Sequence, residues 1–456
     1  MLNQVRRTRR RAAVLTAKTC AVVITSGLIA SGLVTSGLIA SGTAVATVAP
    51  GAGSGTDAVG QAWSVDLATR TDDDAGVRHS GGALRLDATG TSGSSTVPDD
   101  GRTDDGSADG GSVRQEASGQ LVAEPTVLDS PASVITADVD ATAPAGTSVL
   151  VDVRGRLTDQ GPDSWTEWVP AGSQLPTPAE TVQARVTLVG EGGTGPAVRE
   201  VTLTPEAHRS QSLQEAESEA APAGGEDSYK VFATREGLVG GTTANGHVIT
   251  SRDHFVALPS RRGLSSKDSG SYSVRVCAGS TGRCAYAPVW DVGPWNTTDD
   301  YWNEGETRQS WSDLPKGRPQ AQAAYQDSYN DGRDGFGRQV ANPAGIDLGD
   351  GTFWDALGLT DNAWTTVTYL WTGSGPKGVV RTKGGPLTVR SGPGTDNAAV
   401  GQAGNHANVV IECTARGTTI TGTYGTTDLW NRIGPDNWVS DAYVSTSSSS
   451  RPAPTC

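Results

Sequence analysis

Positive charge is scarce in this 456-residue sequence. Only 36 Lys and Arg residues stand against 50 Asp and Glu residues, which gives a formal net charge of −14 at pH 7. Affinity for nucleic acids comes mainly from cationic side chains that displace counterions, and no basic patch compensates for the acid excess. The composition therefore argues against DNA or RNA as a ligand, and we expect no nucleic-acid partner.

Apolar residues are also few. They make up 36% of the chain, charged residues make up 19%, and 59 residues are Gly. Such a composition favours short strands, tight turns and polar linkers over long helices. Because single hydrophobic cores stop growing and long chains split into units of about 100–200 residues each, the length predicts roughly three domains. We expect a mostly β, multidomain protein.

Cysteine is rare, and its positions suggest disulfides rather than a metal site. Of the five cysteines, Cys20 lies near the N-terminus and four lie far downstream. An even number of cysteines outside the cytoplasm favours disulfides. Cys277 and Cys284 flank the turn AGSTGR, so we predict that they pair, and that Cys413 pairs with the final Cys456. Their spacing does not resemble a zinc site, and no metal or cofactor is expected.

The N-terminus has the pattern of an export signal. Five arginines and no acid lie between positions 6 and 11, and an apolar stretch then runs to Ala-Val-Ala at 44–46. This pattern is typical of a signal peptide, which we place at 1–46. The alternative is an uncleaved membrane anchor, although many Gly and Ser residues disfavour a stable span. Cleavage removes six positive charges and changes the net charge from −14 to −20. A secreted protein without membrane contact is expected.

The first part of the mature chain shows strand-like alternation. Residues 60–205 predict an antiparallel β-sandwich, with a disordered insertion near 93–117 because that Gly/Ser/Asp-rich stretch cannot bury enough apolar surface. Polar residues at 206–227 predict a linker. The segment from TSVLVDVRGR to SWTEW resembles a β-sandwich module found beside secreted actinobacterial peptidases, which implies an accessory role.

The next segment, 228–373, carries a set of family motifs. In order along the chain these are Thr243-Ala244-Asn245-Gly246, Leu258-Pro259, the V-x-D-x-G-P run of Val289–Pro294, and Ile346-Asp347-Leu348. Their order and wording resemble the double-psi β-barrel family, which includes rare lipoprotein A and the expansins. The resemblance implies a barrel with a groove that takes a polysaccharide or peptidoglycan strand.

The same resemblance implies candidate catalytic residues. Family enzymes cleave glycosidic bonds with acidic residues, and Asp291 and Asp347 occupy the positions of two such aspartates. His254 lies near the position of the family's histidine. Each has a structural alternative, since Asp291 would also hold a turn through backbone amides, Asp347 would also end a strand, and His254 would also sit at the barrel edge.

The pattern departs from the family next to the TANG motif. Rare lipoprotein A has an acid where this chain has His247, and a second acid three positions further on is replaced by Thr250. These losses favour binding over cleavage. Asn245 and His247 remain candidates for substrate contact.

An insertion between 295 and 340 mixes aromatic and acidic residues. Aromatic faces stack on sugars, and a rim of such side chains is a common way to hold a glycan. We therefore predict that Trp295, Tyr301 and Trp302 bind substrate. The alternative is a loop folded over the barrel with these rings in its core.

The C-terminal segment 379–445 carries a further set of motifs, and a Ser-rich tail (446–456) follows it. The motifs are LTVRSGP at 387–393, a strand ending at Cys413, Trp430, and Trp438-Val439. They resemble a bacterial SH3-like domain. Such domains commonly bind cell-wall peptide stems, so the resemblance implies targeting or anchoring.

Together these features predict a secreted, cell-wall-associated protein that binds peptidoglycan or another glycan through the barrel groove and is targeted by the SH3-like module. Whether it also cleaves the glycan, as a lytic transglycosylase or glycoside hydrolase does, is left open. The alternatives are a non-catalytic, expansin-like binding protein and a structural surface protein. A monomer is expected.

Overall fold

The computed structural model describes residues 61–87, 116–158, 160–161, 163–191, 193–207, 225–446 and 451–456. The expected leader, most of the insertion near 93–117, most of the linker and part of the tail lie outside the described residues. Strands dominate the described residues and helices are short, so the predicted mostly β class is confirmed. None of the helices in these ranges has the length and apolar character needed to cross a bilayer.

The N-terminal sandwich contains nine strands. They are β1 (Trp63–Ser64), β2 (Val77–Ser80), β3 (Ala83–Leu86), β4 (Glu116–Val122), β5 (Thr126–Thr142), β6 (Ser148–Gly155), β7 (Val169–Pro170), β8 (Gln174–Glu191) and β9 (Ala197–Ala207).

Two long strands fold this sheet into two layers. The first part of β5 pairs with β8, whereas its second part pairs with β9 alone. The second half of β8 pairs instead with β4 and β6. Strands that change partners at such irregular positions join the two layers of a sandwich. The enclosed core takes side chains from both layers, among them Ile135, Leu203, Leu121 and Val186.

The central segment forms a closed six-stranded barrel. Its strands are β10 (Ser228–Glu236), β11 (Val256–Leu258), β12 (Ser273–Ala278), β13 (Arg283–Val292), β14 (Ala344–Gly349) and β15 (Ala363–Tyr369). The order is β11-β14-β10-β15-β12-β13, and β13 pairs back to β11 to close the barrel. The pairs β10–β14 and β11–β13 are parallel, and the other four are antiparallel.

Short helices lie in the connections. Helix α1 (Gln320–Asp327) belongs to the long insertion after β13, and a π-helix (Gly351–Ala356) follows β14. Four 3-10 turns complete the set: Arg261–Gly263, Gly305–Thr307, Tyr329–Gly332 and Asp441–Tyr443.

The C-terminal module contains the remaining eight strands. They are β16 (Lys377–Val380), β17 (Leu387–Arg390), β18 (Ala399–Ala403), β19 (Asn408–Val410), β20 (Cys413–Gly422), β21 (Gly425–Gly434), β22 (Asn437–Ser440) and β23 (Val444–Thr446). Strands β16, β19 and β23 form a small separate sheet.

The barrel sheet continues into the C-terminal module. Strand β18 pairs in parallel with β13, with Cys284 opposite Gly401. A Cβ atom at Gly401 would lie 1.8 Å from the carbonyl oxygen of Cys284, so this close approach requires glycine. Tyr286 of the barrel also packs in the core of the module. The two parts therefore share both a sheet and a core.

The sandwich is attached to the barrel through buried polar and aromatic side chains. The Arg154 guanidinium of the sandwich lies 5.7 Å from the ring centre of Tyr272 of the barrel. The Tyr272 hydroxyl of the barrel donates to the carbonyl oxygen of Thr166 (2.7 Å). Sandwich, barrel and module belong to one compact unit.

Both predicted disulfides are confirmed. Cys277 and Cys284 face each other across β12 and β13 with Cα atoms 4.1 Å apart. Cys413 and Cys456 have Cα atoms 5.1 Å apart, and this bond ties the end of the chain to β20. Two disulfides are compatible with an oxidising compartment outside the cytoplasm.

Candidate functional site

The barrel register brings two predicted acids together. Asp291 of β13 and Asp347 of β14 both lie opposite Ala257 of β11, which pairs with each of these strands. Thr234 of β10 lies opposite Asp347 and donates its hydroxyl to that carboxylate. Because side chains alternate along a strand, Glu236 shares the face of Thr234 and adds a third carboxyl group.

These carboxyl groups are buried rather than accessible. Asp291 is 5% exposed, and its Oδ1 accepts hydrogen bonds from the backbone amides of Ala244 and Val292, both at 2.8 Å. Burial and the charge of Asp291 raise the pKa of Glu236 well above its usual range. Neither carboxyl oxygen of Glu236 has a conventional donor among the described residues. A proton kept on Glu236 and donated to Asp291 satisfies both groups.

This geometry corrects the expected catalytic site. A general acid must lie within reach of the bond that it protonates, yet Asp291 and Asp347 are enclosed by their own strands. Neither is among the residues that line the two large clefts described below. Asp291 instead bonds the amide of Val292, just before Gly293-Pro294, as the structural alternative expects, and it also bonds Ala244 in a turn 47 positions earlier.

The other polar candidates are also tied to the protein. Asn245 is fully buried, and its amide nitrogen donates to the Ser265 carbonyl oxygen (3.2 Å). The His247 Nε2 lies 2.8 Å from the Asp253 carboxylate. The His254 Nε2 lies 2.7 Å from Oε1 of Gln402 in the C-terminal module, and burial lowers the pKa of His254 below its usual range. His254 therefore holds the module against the barrel.

The predicted aromatic rim is part of the core. Trp295, Tyr301 and Trp302 are each at most 1% exposed, so their ring faces are closed to a ligand. The Trp302 indole donates to the Glu167 carboxylate of the sandwich (2.6 Å), and the Tyr301 hydroxyl donates to a barrel carbonyl. The insertion is folded over the barrel, and the contacts of these three buried rings stabilise it in that position. The expectation that they bind substrate is corrected accordingly.

A large cleft lies elsewhere, at the junction between barrel and module. We call it the junction cleft; its volume is about 740 Å³. Its lining side chains come from the loop before β11, the start of β13, the π-helix and the module: Arg252, Asp253, His254, Arg283, Trp354, Asp355, Pro386 and Gln402.

A close backbone approach positions the aromatic residue of the junction cleft. A Cβ atom at Gly351 would lie 2.2 Å from the Arg252 carbonyl oxygen, so glycine lets the π-helix pack on the loop before β11. Trp354 in the next turn points outward and is 38% exposed. The guanidinium carbons of Arg235 and Arg252 lie 4.8 and 4.7 Å from its ring. The indole is thus held in place with part of its surface open.

A second cleft, of about 670 Å³, lies in the C-terminal module and is called the module cleft. Lys383 and Arg390 line it, together with hydroxyl and apolar side chains, and no carboxylate is among its described lining residues. Gly385 and Pro386 line both clefts, which are therefore adjacent.

Sequence reasoning missed Glu236, Trp354 and Lys383 as functional candidates. For Glu236 the available signal was the alternation of side chains along β10, which places Glu236 on the same face as Thr234. For Trp354 and Lys383 the signal was weaker. In a Trp-rich sequence, an exposed tryptophan such as Trp354 cannot be told from a buried one.

Comparison with known proteins gives one family match in the central segment and two relatives. A model described as a domain of unknown function (DUF8814) matches residues 227–368, which coincide with the barrel from β10 to β15. The uncharacterized protein YraI of Bacillus subtilis (strain 168) is 37% identical over 87 residues, which cover 17% of this chain and 72% of YraI. The chain belongs to the YraI family. The uncharacterized protein YraJ of the same organism is 40% identical over 78 residues, or 15% of this chain and 66% of YraJ. Membership of the YraI family does not define an activity.

Proposed function

We propose that this protein is exported and binds peptidoglycan through its C-terminal module without cleaving it. One observation carries the proposal: the module cleft is lined by cations and no carboxylate in a chain whose net charge is −14. A cationic cleft on an acidic protein selects for anionic ligands. Peptidoglycan carries short peptides with free carboxylates.

The chemistry of the module cleft suits such a peptide. Nη1 of Arg390 donates to the carbonyl oxygens of Thr395 (3.0 Å) and Asn397 (2.8 Å), so the guanidinium is oriented by uncharged partners. Lys383 is exposed at the edge of the cleft. Hydroxyls of Thr388 and Thr421 line the same space and offer hydrogen bonds to peptide groups.

The resemblances stated above fit this proposal. A bacterial SH3-like module would supply the anchoring, and a double-psi β-barrel whose acids are buried would act as a scaffold in the manner of a non-catalytic expansin. The two disulfides suit an extracellular location.

Co-sedimentation with purified, insoluble peptidoglycan tests the proposal. We expect the wild-type chain to pellet and the Lys383→Glu variant to bind about tenfold more weakly at low salt. Arg78→Glu makes the same charge change on the exposed face of β2 in the sandwich and should bind like wild type. Wild-type protein left in the supernatant, or equal losses in both variants, contradicts the proposal.

Two treatments of the peptidoglycan identify the anionic group. Amidase treatment removes the peptides and should abolish the difference between wild type and Lys383→Glu. Extraction of phosphate-containing polymers should leave that difference intact, and its loss would assign the cleft to phosphate instead. Soluble sugar released by wild type but not by Asp291→Asn would overturn the non-catalytic part of the proposal.

A further inference from the structure

The junction cleft differs in chemistry from the module cleft. Its charged lining residues are of both signs: Arg252 and Arg283, Asp253 and Asp355. Balanced charges give no preference for an anion, but they provide both donors and acceptors in one cleft. Sugar hydroxyls both donate and accept hydrogen bonds, so a mixed lining suits them.

The junction cleft also contains an exposed aromatic surface. Trp354 is 38% exposed, whereas Trp295, Trp302 and Trp290 of the same barrel are buried. Exposing part of an indole loses the hydrophobic stabilisation that burial would give. Placed in a polar cleft, an indole face stacks on the C–H surface of a sugar ring. The π-helix that carries it is a rare element, frequent at functional sites.

We propose that the junction cleft is a second ligand site, which binds a neutral saccharide with one sugar ring stacked on Trp354. Arg235 is fixed to Asp350 by a hydrogen bond of 2.8 Å and forms a steady support for the indole. The side chain of Arg252 is 50% exposed and pairs with Asp355 only at 3.4 Å. Arg252 is therefore the group that moves aside when the sugar binds.

The site requires both the barrel and the module. Gln402 and Pro386 come from the module, and the 2.7 Å hydrogen bond between His254 and Gln402 fixes the module side against the barrel side. This proposal is independent of the peptide-binding proposal because it rests on Trp354, which does not line the module cleft, and on a ligand without charge.

Titration of the full chain with neutral oligosaccharides tests the site. The probes are the tetramers of β-1,4-linked N-acetylglucosamine and of β-1,4-linked glucose, followed by calorimetry and by the NMR signal of the Trp354 indole N–H. We expect one of them to bind with an affinity that changes less than twofold between low and high salt, because no charge pairs with the ligand. Trp354→Ala should weaken binding about tenfold, and Trp354→Phe should weaken it less.

Matched variants keep the test specific. Tyr325→Ala removes an aromatic ring of similar exposure on α1, and Lys383→Glu alters only the module cleft. Both should bind the tetramer as wild type does. Trp354→Phe keeps a ring at the same position and so separates loss of binding from loss of folding. The proposal is overturned if neither tetramer binds, if Trp354→Ala binds normally, or if Tyr325→Ala loses as much affinity.

Discussion

Glu167 lies where the sandwich meets the insertion of the barrel. Its Oε1 accepts hydrogen bonds from the Trp302 indole N–H (2.6 Å) and from the Asn303 side-chain amide (3.0 Å). Burial, with a smaller contribution from the charge of Asp300, raises the pKa of Glu167 from 4.5 to about 7. The folded protein therefore holds a proton on Glu167 at pH values where the unfolded chain has released it.

The consequence for stability has a definite sign. A raised pKa in the folded state means that the free energy of unfolding falls as the pH rises from about 4.5 to about 7 and is constant above that interval. The difference between the two pKa values corresponds to a loss of about 3 kcal/mol between pH 4 and pH 8. Glu167→Gln keeps the shape and the acceptor oxygen but does not titrate, so it should lack this loss.

Guanidinium denaturation of both proteins from pH 4 to pH 8 measures this effect. Other buried acids titrate in the same range, so the quantity to follow is the difference in unfolding free energy between wild type and Glu167→Gln. We expect it to change by about 3 kcal/mol. Glu200→Gln, at an exposed position of the same sandwich, should follow wild type. A difference that changes by less than about 1 kcal/mol would refute the assignment.

Three further predictions follow from the fold. The cysteines of the Cys413–Cys456 disulfide are 43 positions apart. By the loop-closure relation, replacing both with serine should lower the free energy of unfolding by about 4 kcal/mol. Gly401→Ala should force β18 away from β13, lower the unfolding free energy by at least about 2 kcal/mol and speed proteolysis between the barrel and the module. Asp291→Asn should destabilise the barrel by at least about 2 kcal/mol in thermal melts, because its NH2 group replaces a carboxylate oxygen that can accept the Glu236 proton and its Oδ1 offers the two backbone N–H groups a neutral instead of a charged acceptor, whereas Glu236→Gln at pH 6 should cost under about 1 kcal/mol.

The predictions for Gly401 and Asp291 each have a control variant and a contrary result. Gly279→Ala places a methyl group where no atom lies within 4 Å, and it should leave proteolysis unchanged. Equal rates for Gly401→Ala and Gly279→Ala would contradict the tight pairing of the two strands. A Glu236→Gln variant as unstable as Asp291→Asn would show that Glu236 is ionised rather than protonated at pH 6.

The fold class and the Cys277–Cys284 disulfide were predictable because their signals are local. Alternation of apolar residues and abundant glycine indicated strands and turns, and the two cysteines around AGSTGR could face each other across one hairpin. The register that places Asp291 and Asp347 on either side of Ala257 is not local. Family positions identified both aspartates, but only the closed barrel shows that they are covered.

The candidate site was harder to predict because exposure depends on distant contacts. The buried Trp302 depends on Glu167, which lies 135 positions earlier in the chain and whose carboxyl oxygen accepts the indole N–H. Trp354 is exposed since the neighbouring Phe353 takes the core position of the π-helix. No pattern within either segment separates the two tryptophans. The junction cleft itself exists through the pairing of β13 with β18, for which the sequence offers no periodic signal.

The pairing of β13 with β18 also determines how the chain can be rearranged. Modules joined by flexible tethers can be exchanged between proteins, but here the second module supplies a neighbouring strand to the first. Moving residues 377–456 onto another carrier would leave an unsatisfied sheet edge on the donor barrel and on the transplanted piece. Either part used alone would therefore need a new cover for its exposed strand.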